Sequence, residues 1–173
     1  MEFDFVVKDE RVDLIKSRID IAIRVAAMDE MGFVARKLFD DKLELFASQQ
    51  YLSRLKEPIT TQNLISQRWV LINGLSNGEV TMEKGTEKIR FVPTSYIETN
   101  SPAYAKELIV SGQGIGLLIN NITRDCVETG NIVKLLPGWS ARDISCYLLY
   151  PSRQNLAKRM QVFINFLMST RES

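Results

Sequence analysis

The chain has 173 residues, of which 45% are apolar and 25% are charged, enough for a hydrophobic core in one large domain or two small lobes. Lysine and arginine (22) nearly balance aspartate and glutamate (21), without a dense run of positive charge, so no segment favours a surface that binds nucleic acid by neutralising phosphates. Histidine is absent, which removes the commonest metal ligand and the usual general base near neutral pH.

The two cysteines indicate a reduced compartment. Cys126 and Cys146 are far apart and form no CxxC pair, which favours buried thiols over a disulfide framework. The N-terminal MEFDFVVKDE lacks the basic start and apolar stretch of a signal peptide, and the longest apolar runs are too short to cross a membrane. The sequence therefore predicts a soluble, cytoplasmic protein that holds no metal and no other cofactor.

The first fifty residues predict strands around one short helix. FDFVV favours a strand, ERVDLIKS a short helix that Asp9 can cap, and IDIAIRV a mostly buried strand. After a loop over residues 29–32, FVARKLF and KLELFA are two further strands, separated by Asp40-Asp41. A helix between two apolar strands is typical of a βαβ unit with a parallel sheet.

The rest of the chain alternates strands and helices. Strands are predicted at 68–74, 115–119, 131–136 and 143–151, with a β-hairpin over 79–92; helices are predicted at 49–55, after Thr60 or Thr61, from Ser101-Pro102 to Gly112, and at the amphipathic C terminus. Serine followed by proline suits a helix start, because the N–H that proline lacks would be unpaired there anyway.

Three patterns resemble catalytic or phosphate-binding motifs but do not fit the chemistry. GQGIG follows a helix and precedes a strand, the reverse of a phosphate loop, so its glycines indicate a tight turn. The pairs Asp29-Glu30 and Asp40-Asp41 favour solvated loops, because nothing places them across a cleft. No GxSxG or SxxK motif occurs, and no serine triad can form without histidine. The sequence predicts no catalytic residue.

Three polar positions are candidates for ligand binding. Ser48 and Ser101 each lie between a predicted strand and a predicted helix, where a hydroxyl and free backbone N–H groups form an anion or carboxylate site. The alternative for both is simple helix capping. Arg24 lies near the end of a predicted strand, where α/β sheets bind ligands. Its alternative is a surface arginine paired with a carboxylate.

Several stretches, taken in order, resemble one protein family. They are IDIAIRV, FASQQYL, RWVLIN, the segment from Ser101 through GQGIGLLI, ETGNIVKLLPGW, LLYPSR and QVFINFL. Each motif is weak alone. Their order and spacing together are similar to the C-terminal effector-binding domain of LysR-type transcriptional regulators, over essentially the whole chain.

The resemblance implies an α/β fold of two Rossmann-like lobes joined by two crossover strands, as in type 2 periplasmic binding proteins. KLELFA would be the outward crossover and CYLLYP the return. Residues 1–44 and 150–173 would then form lobe I, and residues 45–149 would form lobe II. The winged helix-turn-helix, the linker helix and the first strand and helix of lobe I are expected to be missing, which makes the chain a fragment whose lobe I exposes apolar surface.

The chain also departs locally from the family pattern. Arg18 and Ala26 stand where members often have glycine, so the local turns are expected to differ. Gln49 stands where members often have proline, which adds an N–H and an amide donor beside Ser48. The residues expected to bind a ligand are Arg24, Ser48, Gln49, Asn100 and Ser101, with the two serine-capped helix starts facing the same space.

The resemblance implies a sensor rather than an enzyme. A small-molecule effector would bind between the lobes without chemical change, and a carboxylate would suit the donors. The intact protein would be a homo-oligomer that contacts DNA through the missing N-terminal domain, with no membrane partner. The alternative is a free-standing solute-binding protein of a transport system, against which the missing signal peptide and the unpaired thiols argue. An enzyme on the same fold is a third hypothesis, without a nucleophile motif to support it.

Overall fold

The computed structural model describes residues 2–8, 12–25, 33–75, 78–152 and 156–169. The fold is mixed α/β, as predicted. Its strands are β1 (Ala22–Val25), β2 (Phe33–Ser48), β3 (Arg68–Ile72), β4 (Val80–Lys84), β5 (Glu87–Phe91), β6 (Ser95–Thr99), β7 (Ile115–Ile119), β8 (Ile132–Lys134) and β9 (Ser140–Pro151). Its helices are α1 (Gln49–Leu52), α2 (Pro102–Val110), α3 (Asn120–Glu128) and α4 (Lys158–Ser169).

Two strands, β2 and β9, carry the chain between two compact units. Unit 1 consists of Met1–Asp40 and Ile144–Ser173, and unit 2 consists of Asp41–Asp143. The lobe boundaries expected from the sequence, after residues 44 and 149, fall inside the same two strands. They differ because residues 43–47 of β2 pair with β7 in unit 2, whereas residues 146–149 of β9 pair with β1 in unit 1.

The sheet of unit 2 fixes which ends of its strands lie together. The hydrogen-bonded order is β5-β4-β9-β2-β7-β3-β6, and β8 also pairs with β2. Strand β3 is parallel to both β6 and β7, and β2 is antiparallel to β7. The carboxyl ends of β3, β6 and β7 therefore lie at one end of this sheet, and the carboxyl end of β2 lies at the other.

The core of unit 2 follows from the two-residue alternation of side chains along its strands. Trp69 and Leu71 of β3 belong to one buried cluster, and Val70 and Ile72 belong to a second cluster beneath α2. Four consecutive apolar residues in RWVLI are thus buried because the strand is covered on both faces.

Local turn chemistry sets two of the predicted connections. The hairpin of β4 and β5 closes at the Lys84–Glu87 pair, and Gly85 adopts a φ of +59° in the turn. Helix α2 ends at Gly112, whose φ of +75° lets its own N–H and that of Gln113 bond back to the carbonyls of Ile109 and Leu108, both at 3.0 Å. Both positions favour glycine because a side chain strains a left-handed backbone.

Unit 1 contains β1, part of β9 and the amphipathic helix α4. Ile164 of α4 is buried with Leu38 and Cys146 in one cluster. The N-terminal segment is not the predicted strand: residues 2–8 have no regular secondary structure, although the Phe3 ring lies 4.9 Å from that of Phe163. Phe5 is 76% exposed, so unit 1 exposes apolar surface, as expected.

The helix predicted over residues 10–17 is a turn where the structure describes it. Asp13 rather than Asp9 supplies the capping carboxylate, accepting from the N–H groups of Ile15 and Lys16 at 3.1 and 3.0 Å, and Asp9 lies outside the described residues. Arg18 has a φ of +53°, the conformation that glycine adopts most easily, which gives a physical reason for the glycine common there in the family. Ala26 also lies outside the described residues.

Several other element predictions are wrong in both units. FVARKLF and KLELFA are one continuous strand, β2, and the expected parallel βαβ unit is replaced by antiparallel pairing of β1 with β9 and of β2 with β7. The helix expected after Thr60 or Thr61 is a single 3-10 turn at Leu64–Ser66. Helix α3 was not predicted. None of the helices in the described part of the chain has the length and apolar content that a bilayer crossing requires.

Candidate functional site

Ser48 lies at the buried end of β2 and caps α1. Its side chain is 1% exposed, and its hydroxyl oxygen accepts from the N–H of Tyr51 at 3.2 Å. The Tyr51 hydroxyl in turn donates to Gln67 and accepts from the N–H of Arg68, both at 3.1 Å. Helix α1 has only four residues, too few for an appreciable helix dipole. The surroundings of Ser48 therefore fit its capping alternative.

Gln49 is the first residue of α1 and is exposed. Its backbone N–H donates to the carbonyl oxygen of Asn131 at 3.4 Å, so the N–H gained by replacing proline is already directed to a protein acceptor. The ligand-binding roles of Ser48 and Gln49 stay predictions.

Ser101 caps α2 in a more open setting. Its hydroxyl oxygen accepts from the N–H of Tyr104 at 3.4 Å, near the limit of a useful hydrogen bond, and Pro102 occupies the first helical position as predicted. The N–H of Ser101 donates to the hydroxyl of Thr99 at 3.1 Å, which holds the turn between β6 and α2. Asn100, within this turn, is exposed. A nine-residue helix thus begins directly after the carboxyl end of a parallel strand, with a weak cap.

The two serine-capped helix starts do not lie together. Ala47 pairs with Ile115, the first residue of β7, and Ile72 pairs with Thr99, the last residue of β6. Ser48 is therefore at the amino ends of β7, β3 and β6, whereas Ser101 follows their carboxyl ends. A five-residue strand spans roughly 16 Å, so one ligand of metabolite size does not reach both serines.

The start of α3 lies at the same end of the sheet as Ser101, and a carboxylate of the chain already occupies it. Ile119 is the N-cap residue and offers no side-chain hydrogen bond. Asp41, from β2, accepts instead from the backbone N–H and the side-chain amide of Asn120, at 3.1 and 3.0 Å, and from the N–H of Asn121 at 2.8 Å. Asp41 is thus neither in a loop nor simply solvated. It shows how a carboxylate is held at a helix start in this sheet.

Exposed amides follow the carboxyl ends of all three parallel strands. They are Asn73 after β3, Asn100 after β6, and Asn120 after β7. The N–H of Asn73 donates to the carbonyl oxygen of Thr99 at 2.8 Å, which keeps the ends of β3 and β6 aligned. Amide side chains both donate and accept hydrogen bonds. Asn73 and Asn120 were not predicted, although Asn73 lies near the end of the strand predicted at 68–74 and Asn120 directly follows the strand predicted at 115–119.

Arg24 lies in unit 1, unlike the other four predicted residues. It is in β1, paired in register with Tyr147, and is half-buried. Its guanidinium donates a short hydrogen bond to the carbonyl oxygen of Val12. This contact holds the 12–18 turn against β1, and the ligand-binding role of Arg24 stays a prediction.

The ionisable groups of the described residues form no metal site. Among the described residues, no three acidic or cysteine side chains gather closely enough to hold a metal ion. Both thiols are free, Cys146 buried and Cys126 partly exposed, and burial raises the pKa of the Cys146 thiol above its ordinary value.

A family model described as the LysR substrate binding domain matches residues 1–171 of this chain. Among curated proteins, the chain is 27% identical to the HTH-type transcriptional regulator PtxR of Pseudomonas aeruginosa, over 96% of this chain and 54% of that protein. It is 24% identical to an HTH-type transcriptional regulator of Xanthomonas campestris, over 98% of this chain and 51% of that protein. The chain therefore spans about half the length of the curated relatives it matches.

Solved structures share the fold. The full-length Vibrio cholerae virulence activator AphB matches with a TM-score of 0.81 at 22% identity, over 97% of this chain and 57% of that one. CrgA of Neisseria meningitidis, a LysR-type transcriptional regulator, matches with a TM-score of 0.80 at 24% identity, over 92% and 55%. The fold is that of LysR regulatory domains, which is like that of type 2 periplasmic binding proteins.

Proposed function

Because this chain belongs to the LysR substrate-binding domain family, we propose that it is the effector-sensing part of a cytoplasmic, DNA-binding transcriptional regulator. The named relatives are helix-turn-helix regulators about twice as long as the matched region. DNA contact would belong to the half that this chain does not include, and the intact protein would work as a homo-oligomer. The near-neutral charge of the chain supports this division.

We place the effector at the start of α2, in unit 2. The observation that carries this choice is the contrast between two helix starts at one end of the sheet. The start of α3 is filled by the Asp41 carboxylate, whereas in the described part of the chain the only side-chain contact to the start of α2 is the 3.4 Å one from Ser101. A ligand carboxylate at α2 would accept from the backbone N–H of Ala103 and from the Ser101 hydroxyl, with the Asn100 amide beside them, because Pro102 has no N–H where Asn120 has one in α3.

Asn100 and Ser101 are therefore the predicted residues that we take into this proposal, with Asn73 added from the neighbouring strand. Ser48 and Gln49 are not included, because they lie at the opposite end of the same sheet. Arg24 remains a separate prediction for unit 1.

A sensor binds its effector without converting it into a product. The named relatives are transcriptional regulators and not enzymes, and nothing among them favours the transport alternative. Strand β2 enters unit 2 at the effector end, since Asp41 and Lys42 are its first residues there. An effector could change the output only by binding one conformation more tightly than another.

Isothermal titration calorimetry with acetate, succinate and benzoate as probes tests this site. Ser101→Ala should weaken binding of the best probe by roughly two- to tenfold, the usual range for one hydrogen bond to a charged group that stays partly solvated. Ser101→Asp should weaken it further while leaving the chain at least as stable, because aspartate caps a helix well but repels a carboxylate.

Ser111→Ala, at the other end of α2, is the matched control and should bind like the wild type. Ser48→Ala should lower stability by about 1 kcal/mol through loss of its cap, without changing probe affinity. Equal affinities for the wild type and Ser101→Asp would remove α2 as the effector site.

A further inference from the structure

Unit 1 exposes more apolar surface than its size accounts for. Nine of the fifteen large hydrophobic side chains that are exposed in the described part of the chain belong to unit 1, which supplies about a third of the described residues. Single exposed apolar residues are normal on a protein surface. Where several of them form one continuous surface, they mark an interaction site.

Exposed side chains form one stripe along α4, on the side of the helix that faces away from the core of unit 1. Val162 and Phe166 are each more than half exposed. At 3.6 residues per turn, they lie roughly 160° around the helix from the buried Ile164. Arg159 and Ser169, both exposed, continue this stripe in the two directions. The four positions, which we call the α4 stripe, have the 3-4-3 spacing at which two packed helices meet.

Two N-terminal rings widen this surface. Phe3 stacks on Phe5 with ring centroids 6.0 Å apart, and it contacts the ring of Phe163, three residues before Phe166, at 4.9 Å. Phe3 and Phe5 are also more than half exposed. Aromatic side chains have about 150–250 Å² of surface each, so the exposed parts of these rings and of the α4 stripe present roughly 400 Å² of apolar surface.

This area matches what a dimer of two copies needs. Protein interfaces are about 57% apolar, so an apolar centre of roughly 400 Å² corresponds to an interface of roughly 700 Å² on each copy. Stable complexes bury about 800 Å² on each partner. The surface is therefore large enough for a reversible dimer of moderate affinity.

The charges of α4 oppose the dipole of this helix and suit a second, antiparallel helix. Lys158 and Arg159 lie in the first turn, at the positive end of the helix dipole, and this turn contains no acidic residue. The last turn, which ends at Ser169, contains no basic residue. An antiparallel second copy of α4 brings its two cations to this negative end, and the same contact forms again at the other end.

We propose that the α4 stripe is an interface between two copies of this chain, in which the two α4 helices pack antiparallel about a two-fold axis. The axis passes beside residue 164, so Val162 packs against Phe166 of the second copy, and Phe166 packs against its Val162. Arg159 lies at the carboxyl end of the second helix, near Ser169. Because the same surface is used on both copies, the contact closes as a dimer. It does not depend on the effector proposal, since α4 belongs to unit 1 and the start of α2 to unit 2.

Sedimentation velocity of the full chain at about 1–300 µM tests this interface. We expect a reversible equilibrium of monomer and dimer with a dissociation constant of roughly 1–100 µM. Val162→Glu places a charge at the centre of the contact and should weaken the dimer at least about fiftyfold. Val92→Glu is the matched control, because it makes the same change at a valine of unit 2 that is 57% exposed, against 55% for Val162. It should dimerise like the wild type.

Arg159→Glu separates the interface from a loss of folding. An acidic residue in the first turn suits the dipole of α4, so thermal unfolding of the monomer should occur at an equal or higher temperature. The dimer should nevertheless weaken by roughly five- to thirtyfold, because a carboxylate then meets the negative end of the second helix at both ends of the contact. A dimer that is unchanged in this more stable variant would contradict the proposed charge contact.

Ser169→Asp tests the antiparallel orientation. It should strengthen the dimer by about two- to fivefold by pairing with Arg159 of the second copy, and Arg159→Gln should remove this gain. Parallel helices would bring the two aspartates together, so a weaker dimer in Ser169→Asp would exclude the antiparallel contact.

Three further results would overturn the interface. A wild-type chain that stays monomeric at about 300 µM would leave the α4 stripe to a different partner. A dimer that Val162→Glu leaves intact would place the contact on another surface. Equal loss of the dimer in Val162→Glu and Val92→Glu would indicate unspecific apolar association, as would aggregates that keep growing with concentration.

Discussion

Asp41→Ala should destabilise unit 2 by removing the N-cap of α3, a helix that begins far from Asp41 in the sequence. Asp41 lies in β2, yet its carboxylate supplies the cap of α3, whose first residue is 79 positions away. Truncation removes four hydrogen bonds: two from Asn120 and one from Asn121, at 2.8–3.1 Å, and one from the N–H of Lys42 at 2.7 Å. Because Ile119 offers no side-chain cap, nothing else in the local sequence replaces them.

The magnitude follows from what each substitution removes. Losing a helix N-cap costs about 0.5–2 kcal/mol, and the partly exposed position of Asp41 places Asp41→Ala near the middle of that range. Asp41→Asn keeps a capping oxygen and loses only the favourable charge at the helix start, which is worth about 0.3–1 kcal/mol. We expect the order wild type, Asp41→Asn, Asp41→Ala in falling stability. Added salt should reduce the difference in stability between the wild type and Asp41→Asn, because salt screens the interaction of the Asp41 charge with the helix start.

Urea denaturation followed by tryptophan fluorescence measures the stability of unit 2, to which Asp41 belongs. Both tryptophans of the chain, Trp69 and Trp139, are buried in unit 2. Asp41→Ala should lower the midpoint by roughly 0.5–1 M urea, given a slope of about 1–3 kcal/mol/M. Asp143→Ala is the control, since its partner Lys42 is 3.9 Å away and both side chains are exposed. Equal midpoints for Asp41→Ala and Asp143→Ala would refute the cap.

Two further predictions concern a close backbone approach and a buried thiol. Gly114→Ala should lower the free energy of unfolding, measured by urea denaturation, by about 1–3 kcal/mol, because the new Cβ would lie 2.4 Å from the carbonyl oxygen of Arg68. Gln113→Ala is the control and should lower it much less. Equal losses of stability in the two variants would contradict this reasoning. Burial raises the pKa of the Cys146 thiol in the folded chain, so as the pH rises the thiol ionises in the unfolded chain before it ionises in the folded chain. The stability that the buried neutral thiol contributes is therefore fully present below about pH 8.5 and is lost at higher pH. Stability should therefore fall less from pH 8 to pH 10 in Cys146→Ala than in Cys126→Ala; identical slopes would exclude this linkage.

The elements predicted correctly are those whose signals are local. The hairpin of β4 and β5 needs only a turn at Gly85 between two short strands, and α2 needs only the sequence from Ser101-Pro102 to Gly112. Strand β7 was predicted with its observed bounds, because IGLLI is an apolar run between glycines and asparagines. In each case the deciding residues lie within a few positions of one another.

The wrong predictions depend on contacts between distant segments. Asp40-Asp41 has the composition of a loop, but Asp40 accepts from Ser145 at 2.6 Å and Asp41 caps α3, so tertiary hydrogen bonds hold both within one strand. Helix α3 was missed for the same reason, because its cap comes from β2. The N-terminal FDFVV has strand propensity, but residues 2–8 have no partner strand among the described residues.

The site prediction shows how strand direction decides what a local motif can do. Ser48 and Ser101 have the same sequence signature, a serine between a strand and a helix, and both prove to be N-caps. Strand β2 runs antiparallel to β7, β3 and β6, so the two serines lie at opposite ends of the sheet although each follows a strand. At one end the serine is buried under a four-residue helix; at the other it begins a nine-residue helix beside exposed amides. Because ligands bind at the carboxyl ends of parallel strands in α/β sheets, the effector proposal uses the second arrangement. Strand direction is set by distant pairing, so the motif alone could not have distinguished the two serines.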